Sequence, residues 1–224
     1  MKSAIVLLSG GLDSATTLYY AKKKGFLVHA LVFDYGQRHG KEIKCAVAVA
    51  KAARCPYEIV TISLPWKGSA LLDKKIKVPH HRRLDAKDIP VTYVPARNII
   101  FLSFAASYAE AIKAQRIFIG ANVIDYSGYP DCRPDFFAAY AKVLEKGLKT
   151  GVQGKKIKVG TPLVRMTKSQ IIRLGVKLKV PYELTWSCYT GGKNPCGVCD
   201  SCRLRANGFK AIGINDPLFG PVKL

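Results

Sequence analysis

Long apolar stretches are missing from this chain. Runs such as AIVLL (4–8) and IIFL (99–102) are far shorter than the ~18 residues a membrane helix needs. The five apolar residues after Met1 and Lys2 also fall short of the ~7–15 of a secretory core, and no small-residue cleavage site follows them. The expectation is a cytoplasmic protein without a membrane partner. Acidic residues are scarce too: 15 against 36 lysines and arginines, a formal net charge of +21. A field of that sign attracts polyanions such as nucleotides, nucleic acid or a membrane surface, without choosing among them. The densest basic cluster, DKKIKVPHHRR (73–83), has few aromatics interleaved. A nucleic-acid stripe is one reading of it, and a solvated basic loop is the plainer one. Internal repeats and low-complexity tracts are absent, and 49% hydrophobic residues exclude a disordered chain.

An even, dispersed set of cysteines is also lacking. There are seven: Cys45, Cys55 and Cys132 are scattered, while Cys188, Cys196, Cys199 and Cys202 crowd into CYTGGKNPCGVCDSC. An odd count with one tight cluster argues against a secreted disulfide framework and for a metal. The spacing C-x7-C-x2-C-x2-C fits a closed tetrahedral zinc site that folds a tail too short for its own core, one ion per chain. An iron–sulfur cluster is the rival reading, because four thiolates can serve either.

What is present is an alternation of strand and helix signals. KSAIVLL (2–8), LVHALVFD (27–34), YEIVTIS (57–63), RIFIG (116–120) and KKIKVGTPL (155–163) read as strands. Helices are expected over 13–24, 40–54, 98–114, 134–148 and 167–174, with another after Cys202. This rhythm predicts an α/β protein with a parallel, doubly wound sheet. Residues 64–94, with prolines at 65, 79 and 90, read as a long loop. A boundary near residue 180 would divide a nucleotide domain, 1–180, from a cysteine-bearing segment, 181–224, packed on it.

Between the first strand and first helix lies LSGGLDS (8–14). Two glycines allow a tight turn whose N–H groups converge, and the following helix N-terminus adds unpaired donors and a positive dipole end. That is an anion cradle. Leu8, Ser9, Gly10, Gly11, Leu12, Asp13 and Ser14 are its candidate residues. Asp13 opposes a phosphate by charge, so it either caps the helix or reaches Mg²⁺. The Lys-Ser/Thr ending of a Walker loop and the G-x-G-x-x-G spacing are both missing. Ser-Gly-Gly-x-Asp-Ser after a first strand resembles instead the pyrophosphate (PP) loop of the ATP pyrophosphatases.

Further segments narrow the resemblance: FDYGQRH (33–39), VPARNIIFLS (94–103), DYSGYPDCR (125–133), TPL (161–163) and the cysteine segment with CRLRANGF. In that order, over nearly the whole chain, they resemble the 7-cyano-7-deazaguanine synthases of the queuosine and archaeosine pathways. One departure is Ala96, where the family's VPGRN has glycine; a positive φ there would strain alanine. The resemblance implies an adenine-nucleotide α-hydrolase-like fold. It also implies an ATP-dependent ligase that joins ammonia to 7-carboxy-7-deazaguanine, and a homodimer that does not act on nucleic acid directly. ATP with Mg²⁺ would sit on the loop, with Phe33 and Asp34 at the adenosine. Gln37, Arg38, Arg97, Asn98, Asp125, Tyr126, Asp131 and Arg133 are the candidate substrate residues. Asp13, Ser14, Arg97 and Asp131 are the candidate catalytic ones. Asn98 reads equally as a helix cap, and Lys168 either approaches phosphate or faces water. A tRNA-base-modifying enzyme of the same loop class is the alternative, kept open by the +21 charge.

Overall fold

The fold was described from a computed structural model covering residues 2–38, 40–81, 88–122 and 128–219. Five strands, β1 (Lys2–Leu7), β2 (Phe26–Asp34), β3 (Tyr57–Thr61), β4 (Arg116–Phe118) and β5 (Lys158–Gly160), pair in the order β3-β2-β1-β4-β5. Every pairing is parallel. The chain lays β2 and β3 on one side of β1, then crosses over to lay β4 and β5 on the other. The crevice between the carboxyl ends of β1 and β4 is therefore the switch point, where open α/β sheets bind ligands.

Both faces of the sheet are covered. Along β1 the period of two sends Ala4 and Val6 to one core and Ile5 and Leu7 to the other. The first core packs under α1 (Leu12–Lys23), α2 (Lys41–Ala52), α6 (Lys168–Lys177) and α7 (Asp200–Lys210) through Leu18, Val49, Ile171 and Phe209. The second packs under α3 (Arg97–Ala111) and α4 (Pro134–Gly147) through Leu102, Ala105, Phe137 and Leu144. A fully buried Leu, Ile or Phe such as these contributes about 1.5–3 kcal/mol.

The strands after the crossover are shorter than the sequence pattern implies. β5 spans three residues, not the nine of 155–163, because Pro162 has no N–H for a ladder. A short helix α5 (Lys149–Val152) follows α4, and none of residues 64–81 and 88–94 lies in a helix or paired strand of the sheet. The cysteine-bearing end shares the first core: Tyr182 packs edge-on to Phe209, and its hydroxyl lies 2.8 Å from Thr16 Oγ1 of α1.

Candidate active site at the switch point

A cavity of about 240 Å³ opens at the carboxyl ends of β1, β2 and β4. Its walls include Leu8, Ser9, Gly11, Leu12, Asp13 and Ser14. The loop is built without slack. Gly10 sits at φ +80, and a Cβ there would come within 2.2 Å of the Glu42 carbonyl oxygen on α2. Across the cavity Gly120 allows the end of β4 to approach α1, since a Cβ would meet the Asp13 carbonyl at 2.9 Å.

Helix α1 starts at Leu12 with Gly11 as its N-cap and no side-chain cap. This corrects the reading of Asp13 as a cap. Its carboxylate instead takes both hydrogen bonds from Lys168 Nζ, at 2.7 and 2.9 Å. Lys168 is brought there because Thr167 and Gln170 form a capping box that fixes the first turn of α6. Ser14 Oγ donates to the Gly11 carbonyl, accepts from the Ser9 N–H, and lies 3.0 Å from Ser9 Oγ. The two hydroxyls hold the turn closed, and Ser9 Oγ also accepts from the Gly11 N–H at 3.3 Å.

The opposite wall comes from α3. Ala96 is left-handed, φ 54, as a position that favours glycine, and Arg97 and Asn98 follow it. Arg97 lines the cavity and donates to the Tyr35 hydroxyl at 3.5 Å. Asn98 is the second helical residue, not the cap. Its N–H donates to Asp131 Oδ2, and its side chain donates to the Asp131 carbonyl and Cys132 Sγ. The Asp131 carboxylate thus caps α3 from outside and is buried, while Cys132 beside it reaches the cavity wall. Burial, with Asp131 nearby, pushes the Cys132 thiol up to about 12.

Other sequence candidates divide between wall and scaffold. Phe33 and Gln37 line the cavity, and Gln37 also closes its own turn through the Tyr35 N–H and the Phe33 carbonyl. Arg38 lines it while donating to the Lys74 and Ile76 carbonyls of the basic loop. Asp34 accepts from the Gly36 N–H at the end of β2, and Arg133 is the exposed residue before α4. Asp125, Tyr126 and His39 lie outside the described residues.

Sequence reasoning missed Glu42, Trp186, Tyr189 and Arg205, all on the cavity wall. Trp186 is tied to the loop, its backbone N–H donating to the Gly10 carbonyl, and its ring lies 3.7 Å beneath the Lys41 ammonium. Arg205 is buried and pairs bidentately with Asp216 while donating to Thr185 Oγ1 and the Tyr182 carbonyl. The visible signal was adjacency: both follow or precede the cysteine cluster by a few residues.

The sulfurs of Cys188, Cys196, Cys199 and Cys202 all lie within 4.8 Å of one another. A tetrahedral ion with bonds of ~2.3 Å holds sulfurs about 3.8 Å apart, so the residues fit a single metal ion. An iron–sulfur cluster, several atoms across, needs them wider. Backbone N–H groups of Cys196 and Cys199 donate to the sulfurs of Cys188 and Cys196, which suits thiolates. Thiol donation from Cys199 and Cys202 holds the Cys188 thiol well below its usual range. The basic loop lies along this cluster: His80 bridges Cys199, and Ile76 and Val78 pack on it.

A parallel sheet whose strand order reverses beside a helix reached through Ser-Gly-Gly-x-Asp-Ser defines a PP-loop protein. The same fold is found in NMN synthetase from Francisella tularensis (TM-score 0.52, 16% identity, 96% of this chain and 78% of that one). It recurs in a 4-thiouridine synthetase solved with RNA and bound ATP (TM-score 0.54, 18% identity, 94% and 54%). Within that class, the chain belongs to the family described as "Queuosine biosynthesis protein QueC", whose profile matches residues 3–213. Similar relatives are named 7-cyano-7-deazaguanine synthase. One from Nostoc punctiforme is 55% identical over 219 residues, 96% of this chain and 98% of the relative. One from Thermoplasma volcanium is 53% identical, over 97% and 90%. No helix among the described residues is long and apolar enough to cross a membrane.

Proposed function

We propose that this chain is an ATP-dependent ligase that converts 7-carboxy-7-deazaguanine and ammonia to 7-cyano-7-deazaguanine. The observation that carries the reading is one cavity walled by both the open loop at α1 and Arg97 at α3. A carboxylate is a poor electrophile because its oxygen leaves badly. Placing AMP on that oxygen supplies a good leaving group, and ammonia then gives an amide. A second activation at the amide oxygen allows elimination to the nitrile.

In this reading the amides of Leu12 and Asp13 hold the β,γ-phosphates while the substrate carboxylate attacks the α-phosphorus, so the products are AMP and pyrophosphate. Lys168 neutralises phosphate, and Asp13 holds the Mg²⁺ that accompanies the nucleotide. Arg97 orients the carboxylate by paired hydrogen bonds. Phe33 faces the adenosine. The four cysteines hold structural zinc, which fixes Trp186 against the loop rather than entering the chemistry. The active form is a homodimer.

The test is nitrile formation from free 7-carboxy-7-deazaguanine, ammonium and Mg·ATP, with and without tRNA, followed by phosphorus NMR. The expected result is tRNA-independent product with AMP and pyrophosphate. Strict dependence on tRNA, or ADP without pyrophosphate, would refute the reading. Metal analysis should return one zinc per chain.

A further inference from the structure

Two acids stand on the cavity wall, Asp13 and Glu42, among the cations Arg38, Arg97, Lys168 and Arg205. Three of those cations have protein partners: Lys168 has Asp13, Arg205 has Asp216, and Arg38 has two carbonyls. Asp13 is satisfied in turn by Lys168. Among the described residues Glu42 has neither a hydrogen-bonding donor nor a lysine, arginine or histidine within ion-pair distance. Arg97 influences it through space from α3 without touching it. Glu42 is half-buried on this wall, so its carboxylate faces the cavity and is open to a donor arriving there.

Its position is fixed. Glu42 lies in the first turn of α2, and that turn is locked to the loop where the Glu42 carbonyl closes over Gly10. Its side chain lines the same cavity as the loop that would hold the nucleotide and the arginine that would hold the substrate's carboxyl group, and Arg97 acts on it through space. On 7-carboxy-7-deazaguanine the carboxyl group is on the five-membered ring, at the opposite end from the N1–H and 2-amino edge. A residue beside Arg97 and the loop thus meets the reacting carbon rather than the guanine edge.

We propose that Glu42 is the catalytic residue that receives the nitrogen nucleophile: its carboxylate binds ammonium beside the activated carbonyl carbon and takes one proton from it. This rests on the ligase reading above. Ammonium has no lone pair to attack with. Transfer of a proton to Glu42 frees neutral ammonia. The N–C bond forms, the C–O bond to AMP breaks, AMP departs with the electron pair, and the adduct's surplus proton leaves with the phosphate. The groups acting on Glu42 are Arg97 of α3, Tyr35 after β2, Cys45 of its own helix and Cys188 of the cysteine segment. Burial is the largest influence and raises its pKa to about 7, which matches proton exchange at neutral pH.

The test compares the wild type with Glu42→Gln and Glu42→Asp in three assays. These are substrate-dependent exchange of pyrophosphate into ATP, product formation with ammonium, and trapping of the activated substrate by hydroxylamine. Hydroxylamine is already neutral at neutral pH, so it needs no base to free it. Glu42→Gln should keep the exchange reaction and hydroxamate formation within about threefold of the wild type while losing ammonium use by about 10²–10⁴-fold. Glu42→Asp should recover part of that loss, and the Glu42→Gln rate should follow free ammonia as pH rises. Unchanged ammonium use in Glu42→Gln overturns the proposal. Equal loss of exchange, hydroxylamine and ammonium activity also overturns it, assigning Glu42 to substrate binding or folding. Absence of exchange in the wild type itself would instead strike down the ligase reading.

Discussion

Two helices begin at the rim of the same cavity and treat their first turns oppositely. Helix α1 has glycine at its N-cap with no side-chain cap of its own, and its acid, Asp13, is paired with Lys168 on the cavity wall. Helix α3 receives a carboxylate from the protein itself: Asp131 Oδ2 accepts from Asn98 at 3.0 Å. Every helix start leaves N–H groups that want an anion. The molecule fills one start with its own acid and keeps the other for a guest. In the proposed reading this difference assigns the nucleotide phosphates to α1 and leaves α3 to offer Arg97 to the cavity.

Gly10→Ala breaks this contrast most severely. It demands a strained φ and drives a methyl into the backbone of α2, so about 2–4 kcal/mol of stability and all nucleotide binding should go, read by thermal melting and ATP titration. Next, Lys168→Ala leaves Asp13 facing the phosphates uncompensated. kcat/KM for ATP should fall about 10²-fold in steady-state kinetics, a loss of about 2.7 kcal/mol in transition-state stabilisation. Asp131→Ala opens the start of α3 and should cost about 1–2 kcal/mol by denaturant unfolding, with pyrophosphate exchange retained once folded. The smallest change is a gain: Ala96→Gly relieves a left-handed alanine and should add about 0.5–1 kcal/mol, raising Tm by about 2–4 °C.

The loop at α1 was legible because its chemistry is contiguous: two serines, two glycines and an acid fall within seven residues directly after a buried strand. The parallel, doubly wound sheet followed from the same local rhythm, whereas the strand order came only with the structure. The cap on α3 was not legible, because Asp131 lies 33 positions from Asn98 and meets it only when β4 is laid beside β1. Asp131 read as chemistry and Asn98 as a cap, whereas the structure makes Asp131 the cap. Lys168 was left open between phosphate and water, and Trp186 was missed, for a similar reason: each reaches the loop from more than 150 residues away. Glu42 was hidden by company: in a lysine-rich helix start it looks like an ordinary surface acid.

The most direct measurement is a crystal structure with Mg²⁺ and a non-hydrolysable ATP analogue. The account predicts the β,γ-phosphates within hydrogen-bond distance of the Leu12 and Asp13 amides, with the Lys168 ammonium moved from Asp13 towards them. Phosphates seated at the start of α3 in place of Asp131, or away from both helices, would contradict it.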